Sequence, residues 1–193
     1  MKKFLLPFIV FLTFPAAVNA GYSSSVDLMT DETKIRISHD SMTKVSNSIG
    51  IQEPATIWIR CNIKDNKTTN LEAFIKTPTY NADNNKVGLR WDSGEPKRTY
   101  WNESTTGTSL FIPNPKKFIN TLLESNTLVF QWSPYQSIPQ AVKFDLIKMK
   151  TDIIQAKTEG CEYKYLGFLN PLKIKKKIKD IILDTFWALY FLG

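Results

Sequence analysis

The sequence predicts a mainly β domain, an antiparallel β-sandwich or open barrel with about two short helices, followed by a C-terminal amphipathic helix. Three observations carry that prediction. Short runs of apolar–polar alternation recur along the chain, most clearly at Thr56 to Ile63, where Ile57, Ile59, Cys61 and Ile63 share one face and Trp58, Arg60 and Asn62 the other. Clusters of turn-forming residues separate these runs. A content of 42% hydrophobic and 12% aromatic residues is enough to fill one packed interior.

Taken in order, Met1 to Ala20 reads as a secretory leader. Lys2 and Lys3 form a basic start, Phe4 to Phe14 is an apolar run, and Pro15 to Ala20 ends in small residues suited to signal peptidase. Cleavage after Ala20 is expected, and the apolar run is shorter than the roughly 20 residues that a spanning helix needs. A polar arm covers Gly21 to Thr33, a short strand Lys34 to Ser38, and a loop His39 to Pro54. After the Thr56 to Ile63 strand, a turn at Lys64 to Asn70 leads to a strand at Leu71 to Lys76, and Pro78 to Lys86 is a loop. Lys86 to Asp92 and Lys97 to Trp101 form a hairpin around Ser93-Gly94-Glu95-Pro96. Ser109 to Ile112 is a strand, and Pro115 opens a helix with Phe118, Ile119, Leu122 and Leu123 at helical spacing. Strands follow at Thr127 to Ser133 and Gln140 to Leu146, and Met149, Ile153 and Ala156 mark a helix leading to Cys161. Residues 21–170 are thus one domain, and 171–193 a separate tail.

The formal charge of +7 is not spread over the domain. Lys2 and Lys3 belong to the leader, and Lys173, Lys175, Lys176, Lys177 and Lys179 crowd the tail. The body therefore lacks the clustered cations of a nucleic-acid-binding face, and no nucleic-acid partner is expected. In the tail, the basic stretch runs into Ile181 to Leu192, with Phe186, Trp187 and Tyr190. That order suits a helix lying on an anionic membrane surface; docking on the domain or on a protein partner are the other readings.

Cys61 and Cys161 are the two cysteines of an exported chain, so they read first as one disulfide, with two buried thiols as the alternative. Closing a loop of about 100 residues is worth up to about 4.7 kcal/mol in the chain-entropy model. No metal-ligand cluster, phosphate loop or nucleotide fingerprint occurs, and no cofactor is expected.

The order of residues from Lys86 to Cys161 resembles the periplasmic type VI secretion-associated family TagO/VasI. The matching elements are Val87-Gly88-Leu89-Arg90-Trp91-Asp92-Ser93-Gly94-Glu95-Pro96, Tyr100-Trp101 with Ser104, Ser109-Leu110-Phe111, Phe118 and Leu122, Leu128-Val129-Phe130, Pro134-Tyr135, Val142-Lys143-Phe144-Asp145-Leu146 and Cys161. Upstream, Leu28-Met29-Thr30-Asp31 and Ile59-Arg60-Cys61 also fit. The sequence departs from the family where Ile147-Lys148-Met149 stands in place of a glycine after Leu146, and in the long tail. The resemblance implies an exported, non-enzymatic accessory component of a contractile secretion machine, or the same domain put to another use at the cell envelope.

Candidate binding residues are Arg90 and Asp92, expected on the outer face of one strand, completed by Trp101 and Ser104. An exposed ion pair contributes only about 0 to 1 kcal/mol, so Arg90 and Asp92 add little if their role is structural. Trp101 also reads as core filler. The expected partner is an envelope or secretion-apparatus protein, or a cell-wall component. No catalytic residue is assigned. His39 is the single histidine, with Asp40 and Ser41 beside it, but adjacency in sequence is not a triad. Asp145 and Glu95 as a glycosidase pair would need a defined separation. An envelope hydrolase and a phage- or mobile-element-type exclusion or inhibitor protein are the alternatives.

Overall fold

The computed structural model describes residues 21–47, 49–83 and 85–163; the leader at 1–20 and the tail at 171–193, with Lys173, Lys175, Lys176, Lys177, Lys179, Phe186, Trp187 and Tyr190, lie outside the described residues. The alternation around Cys61 becomes β3 (Gln52–Lys64), paired antiparallel with β2 (Glu32–Ser46) on one side and β4 (Lys67–Lys76) on the other. Outside β2 lies β1 (Gly21–Asp27). Beyond β4 lie β8 (Ser109–Phe111) and the two-residue β7 (Asn102–Glu103), giving the order β1-β2-β3-β4-β8-β7. The second sheet runs β10-β9-β5-β6, from β10 (Gln140–Asp145) and β9 (Thr127–Trp132) to the hairpin of β5 (Lys86–Trp91) and β6 (Lys97–Tyr100). Every pairing is antiparallel, and the two sheets stay separate, forming a β-sandwich and not a closed barrel.

Burying one Ile, Leu or Phe side chain is worth about 1.5–3 kcal/mol, so alternation decides which face of each strand turns inward. The six-stranded sheet contributes Ile35, Ile37, Ile57, Ile59, Cys61, Ala73, Ile75 and Leu110 to the interior. Facing them, the second sheet contributes Val87, Leu128, Phe130, Trp132, Val142 and Phe144. Two helices close the core. In α1 (Pro115–Glu124), Asn114 Oδ1 accepts from the Lys117 N–H at 3.0 Å and Pro115 occupies the first turn, a standard start that turns Phe118, Ile119 and Leu122 inward. In α2 (Ile147–Thr158), Met149, Ile153 and Ala156 are buried.

The end of α2 sets the disulfide. Gly160 takes φ +103°, its N–H bonds Lys157 O at 3.2 Å, and the Cys161 N–H bonds Ala156 O at 3.0 Å. This is a Schellman termination, which needs a left-handed residue just past the helix. It turns Cys161 back onto the inner face of β3, where it is bonded to Cys61 with the Cα atoms 6.1 Å apart. The Glu162 N–H then donates to Thr68 Oγ1 at 2.7 Å, and the buried Tyr163 hydroxyl donates to Ile153 O.

Two expectations for the first half are corrected. Gly21 to Asp27 is an edge strand in register with β2, from Gly21 opposite Ser38 to Asp27 opposite Glu32, and not a free arm. Most of the expected loop at 39–54 is the far half of β2 and the start of β3, with a bulge between Asp40 and Lys44. His39 and Ser41 continue the inward face there, and because they are polar the alternation is invisible to a hydrophobicity reading.

Candidate functional site

The four predicted binding residues do not come together. β5 ends at Trp91, and Asp92 takes a left-handed φ of 48°, so it leaves the strand instead of projecting beside Arg90. Its Oδ1 accepts from the backbone N–H groups of Asn126 and Thr127, each at 2.8 Å, and thereby holds the turn between α1 and β9. The Thr127 N–H leads the contacts that keep this carboxyl below its ordinary value, with the Asn126 N–H and the nearby Lys150 charge helping. Trp101 is a core residue, 4% exposed, stacked on Phe130 at 5.6 Å and edge-on to Phe118 at 6.1 Å. Ser104 belongs to the turn between β7 and β8, where its hydroxyl accepts from the Ser109 N–H at 3.1 Å. Arg90 is left exposed on β5.

The residues weighed for catalysis are likewise separated. His39 and Ser41 point inward, whereas Asp40 points outward and accepts from Thr56 Oγ1 at 2.7 Å. The Ser41 hydroxyl donates to Thr43 O and accepts from the Ala55 N–H, so it is committed to the β2 bulge. The carboxyl of Asp152 on α2 is raised above its ordinary value by burial, with His39 acting in the opposite direction. Asp145 accepts from the Ile147 N–H at 3.0 Å, ahead of α2, and Glu95 lies exposed in the β5–β6 connection. Among the described residues no group of His, Cys, Asp and Glu is arranged to hold a metal ion.

Another constellation lies on the outer face of the six-stranded sheet. Register places Trp58 of β3 opposite Phe74 of β4, and Phe74 opposite Phe111 of β8. The Trp58 and Phe74 rings are 6.3 Å apart and nearly parallel; Phe74 and Phe111 are 5.0 Å apart and tilted. Arg60, one outward position along β3 from Trp58, lays its guanidinium over the Phe74 ring at 4.6 Å. Phe74 is therefore only 4% exposed, yet it is not part of the inter-sheet core. It is the centre of a second, outer cluster.

The charges beside this row are unusual. Arg36 of β2 stands directly across from Arg60, and Glu72 of β4 stands on the other side of Arg60. Like charges opposite one another destabilise a sheet pair. Among the described residues the ion pair within 4 Å is Lys34 with Asp27, so Glu72 closes on neither arginine. Arg60 instead leans on Phe74, which fixes its position, and both Arg60 and Arg36 opposite it are exposed to solvent. Sequence alternation exposes Trp58 and Arg60 on one face of β3. Their neighbours Phe74, Phe111 and Arg36 become visible only once three strand pairings are known.

Two open depressions lie elsewhere, about 360 Å³ beside Thr68, Leu71, Asn114 and Glu162, and about 680 Å³ beside Ala82, Pro134 and Ile138. None of the four predicted residues lines either. Among the described residues no helix is long and apolar enough to cross a membrane.

The fold and this face define a disulfide-stapled antiparallel β-sandwich with an arginine–aromatic cluster outside its core. The bonded cysteine pair fits the oxidising compartment of an exported protein. No family model matches the chain, and no curated protein matches it. Among solved structures it is similar to the crystal structure of invasion associated protein B from Bartonella henselae, with 11% identity, a TM-score of 0.45, and coverage of 74% of this chain and 96% of that one. That likeness is too loose to carry a function across.

Proposed function

We propose that this chain is an exported, non-enzymatic binding protein of the periplasm, acting by recognition of an envelope or secretion-apparatus protein or of a cell-wall component. The observation that carries the reading is the outer face of the six-stranded sheet, where Arg36 and Arg60 stand side by side without an ion-pair partner among the described residues, next to a packed aromatic row. Such an arrangement lowers stability in isolation and is recovered by a partner that supplies negative charge. The resemblance to the type VI secretion-associated family supports an accessory role in that machinery. The basic-then-apolar order of the tail supports a second attachment, to an anionic membrane surface.

The test is retention of the exported full-length protein on isolated envelope fractions. Retention that falls on Arg36→Glu with unchanged thermal unfolding supports the reading; a protein released from every fraction contradicts it. Stopping the chain after Asn170 separates the two attachments, because release from membranes alone assigns membrane contact to the tail.

A further inference from the structure

We propose that Arg36, Arg60 and the Trp58–Phe74–Phe111 row form a binding site for the carboxylate-bearing sugar rings of an acidic glycan strand, an inference that rests on the reading of this protein as a binding protein. Three features of the site select that chemistry.

The first is its place in the sheet. β3 lies between β2 and β4, and β4 is paired on both sides at Phe74 to Lys76, so a peptide cannot add over Trp58, Phe74 and Phe111 through main-chain hydrogen bonds. A ligand is read by side chains alone. The second is the pairing of aromatic and guanidinium groups. Partly exposed Trp58 and Phe111 offer apolar ring surface to the C–H face of a sugar, while Arg36 and Arg60 offer planar forks matched to a carboxylate. Phe74 holds Arg60 in place before any ligand arrives, so less side-chain freedom is lost on binding.

The third is the placement of negative charge. Glu72 lies across from Arg60, and on the same outer face Asp40 and the exposed Lys76 flank Thr56 from either side, Asp40 accepting from its hydroxyl, so carboxylates alternate with the cations. These carboxylates disfavour a densely charged polyphosphate or an anionic bilayer laid flat on the sheet. They leave room for a polymer whose charges are spaced one to a ring, with its uncharged ring surfaces over the aromatic row.

The experiment uses the full mature chain and three polymers at matched ionic strength, followed by calorimetry: polygalacturonate, with rings and carboxylates; dextran, with rings alone; and poly-L-glutamate, with carboxylates on a peptide. Polygalacturonate is expected to bind, dextran to give no heat, and poly-L-glutamate to bind at least about tenfold more weakly. Arg36→Ala, which leaves Arg60 on Phe74, is expected to weaken polygalacturonate binding about tenfold or more, the worth of one charge-assisted contact to a carboxylate. Arg60→Lys keeps the charge and the stem over Phe74 but loses the fork, and a similar loss is expected. Trp58→Ala is expected to weaken binding without changing its salt dependence.

Poly-L-glutamate binding as tightly as polygalacturonate overturns the glycan assignment in favour of an acidic protein surface. Polygalacturonate binding that survives both arginine variants overturns the site. Failure to bind any of the three polymers, with Arg36-dependent retention on envelope fractions intact, overturns the ligand class and leaves the binding function standing; loss of both removes the two together.

Discussion

The two faces of β3 and β4 carry the same backbone and opposite chemistry. On the inner face Ile57, Ile59, Cys61, Ala73 and Ile75 meet the second sheet, and the disulfide ties α2 to that side. On the outer face Trp58, Arg60, Phe74 and Phe111 pack on one another across three neighbouring strands. The inner face is redundant, since its side chains belong to one buried cluster drawn from both sheets and both helices. The outer face depends on a few contacts in one plane and places two like charges together. Stability should therefore be concentrated on the inner face and recognition on the outer.

The largest expected effect on that comparison comes from the inner staple. Replacing Cys61 and Cys161 together by Ser should cost up to about 4.7 kcal/mol, the chain-entropy value for a loop of this length, read as the shift in denaturant midpoint. Ile59→Ala, fully inside the core, should cost about 2–5 kcal/mol by the same measurement. Phe74→Ala should cost less, about 1.5–3 kcal/mol, because it loses burial in one plane without opening a void between sheets. A cost above that of Ile59→Ala would show the outer cluster to be structural first.

Asp92→Asn comes next, at about 1 kcal/mol, the usual worth of a side chain that caps free backbone N–H groups. Its sign with pH is fixed. The folded carboxyl lies below its ordinary value of 3.8, so its contribution is present above that value and lost as pH falls through the lower folded one. The difference between wild type and variant should narrow on the acid side, measured by thermal unfolding across pH. Smallest is Arg36→Ala, where removing one of two facing like charges should leave stability unchanged or raise it by a few tenths of a kcal/mol.

Those contrasts also explain what was legible in the sequence. The inner face was readable because Ile57, Ile59, Cys61 and Ile63 alternate without interruption, and the disulfide because an exported chain carries two cysteines; the Gly160 turn that brings Cys161 back to β3 is seen only in the structure. The far half of β2 was missed because His39 and Ser41 fill buried positions with polar atoms. β1 was missed because Ser23, Ser24 and Ser25 lie on an edge strand exposed on both faces, which leaves no alternation to see. The four residues of the expected patch are dispersed for local reasons, since Asp92 turns left-handed and Trp101 packs on Phe130. The outer cluster was hidden because Trp58, Phe74 and Phe111 lie on three separate strands, and only strand register makes them neighbours.

The most direct measurement is a side-by-side determination of melting temperature and envelope retention for wild type and Arg36→Ala. A separation of inner stability from outer recognition predicts that retention falls while the melting temperature holds or rises. Retention that is unchanged, or a melting temperature that falls along with it, would contradict that separation.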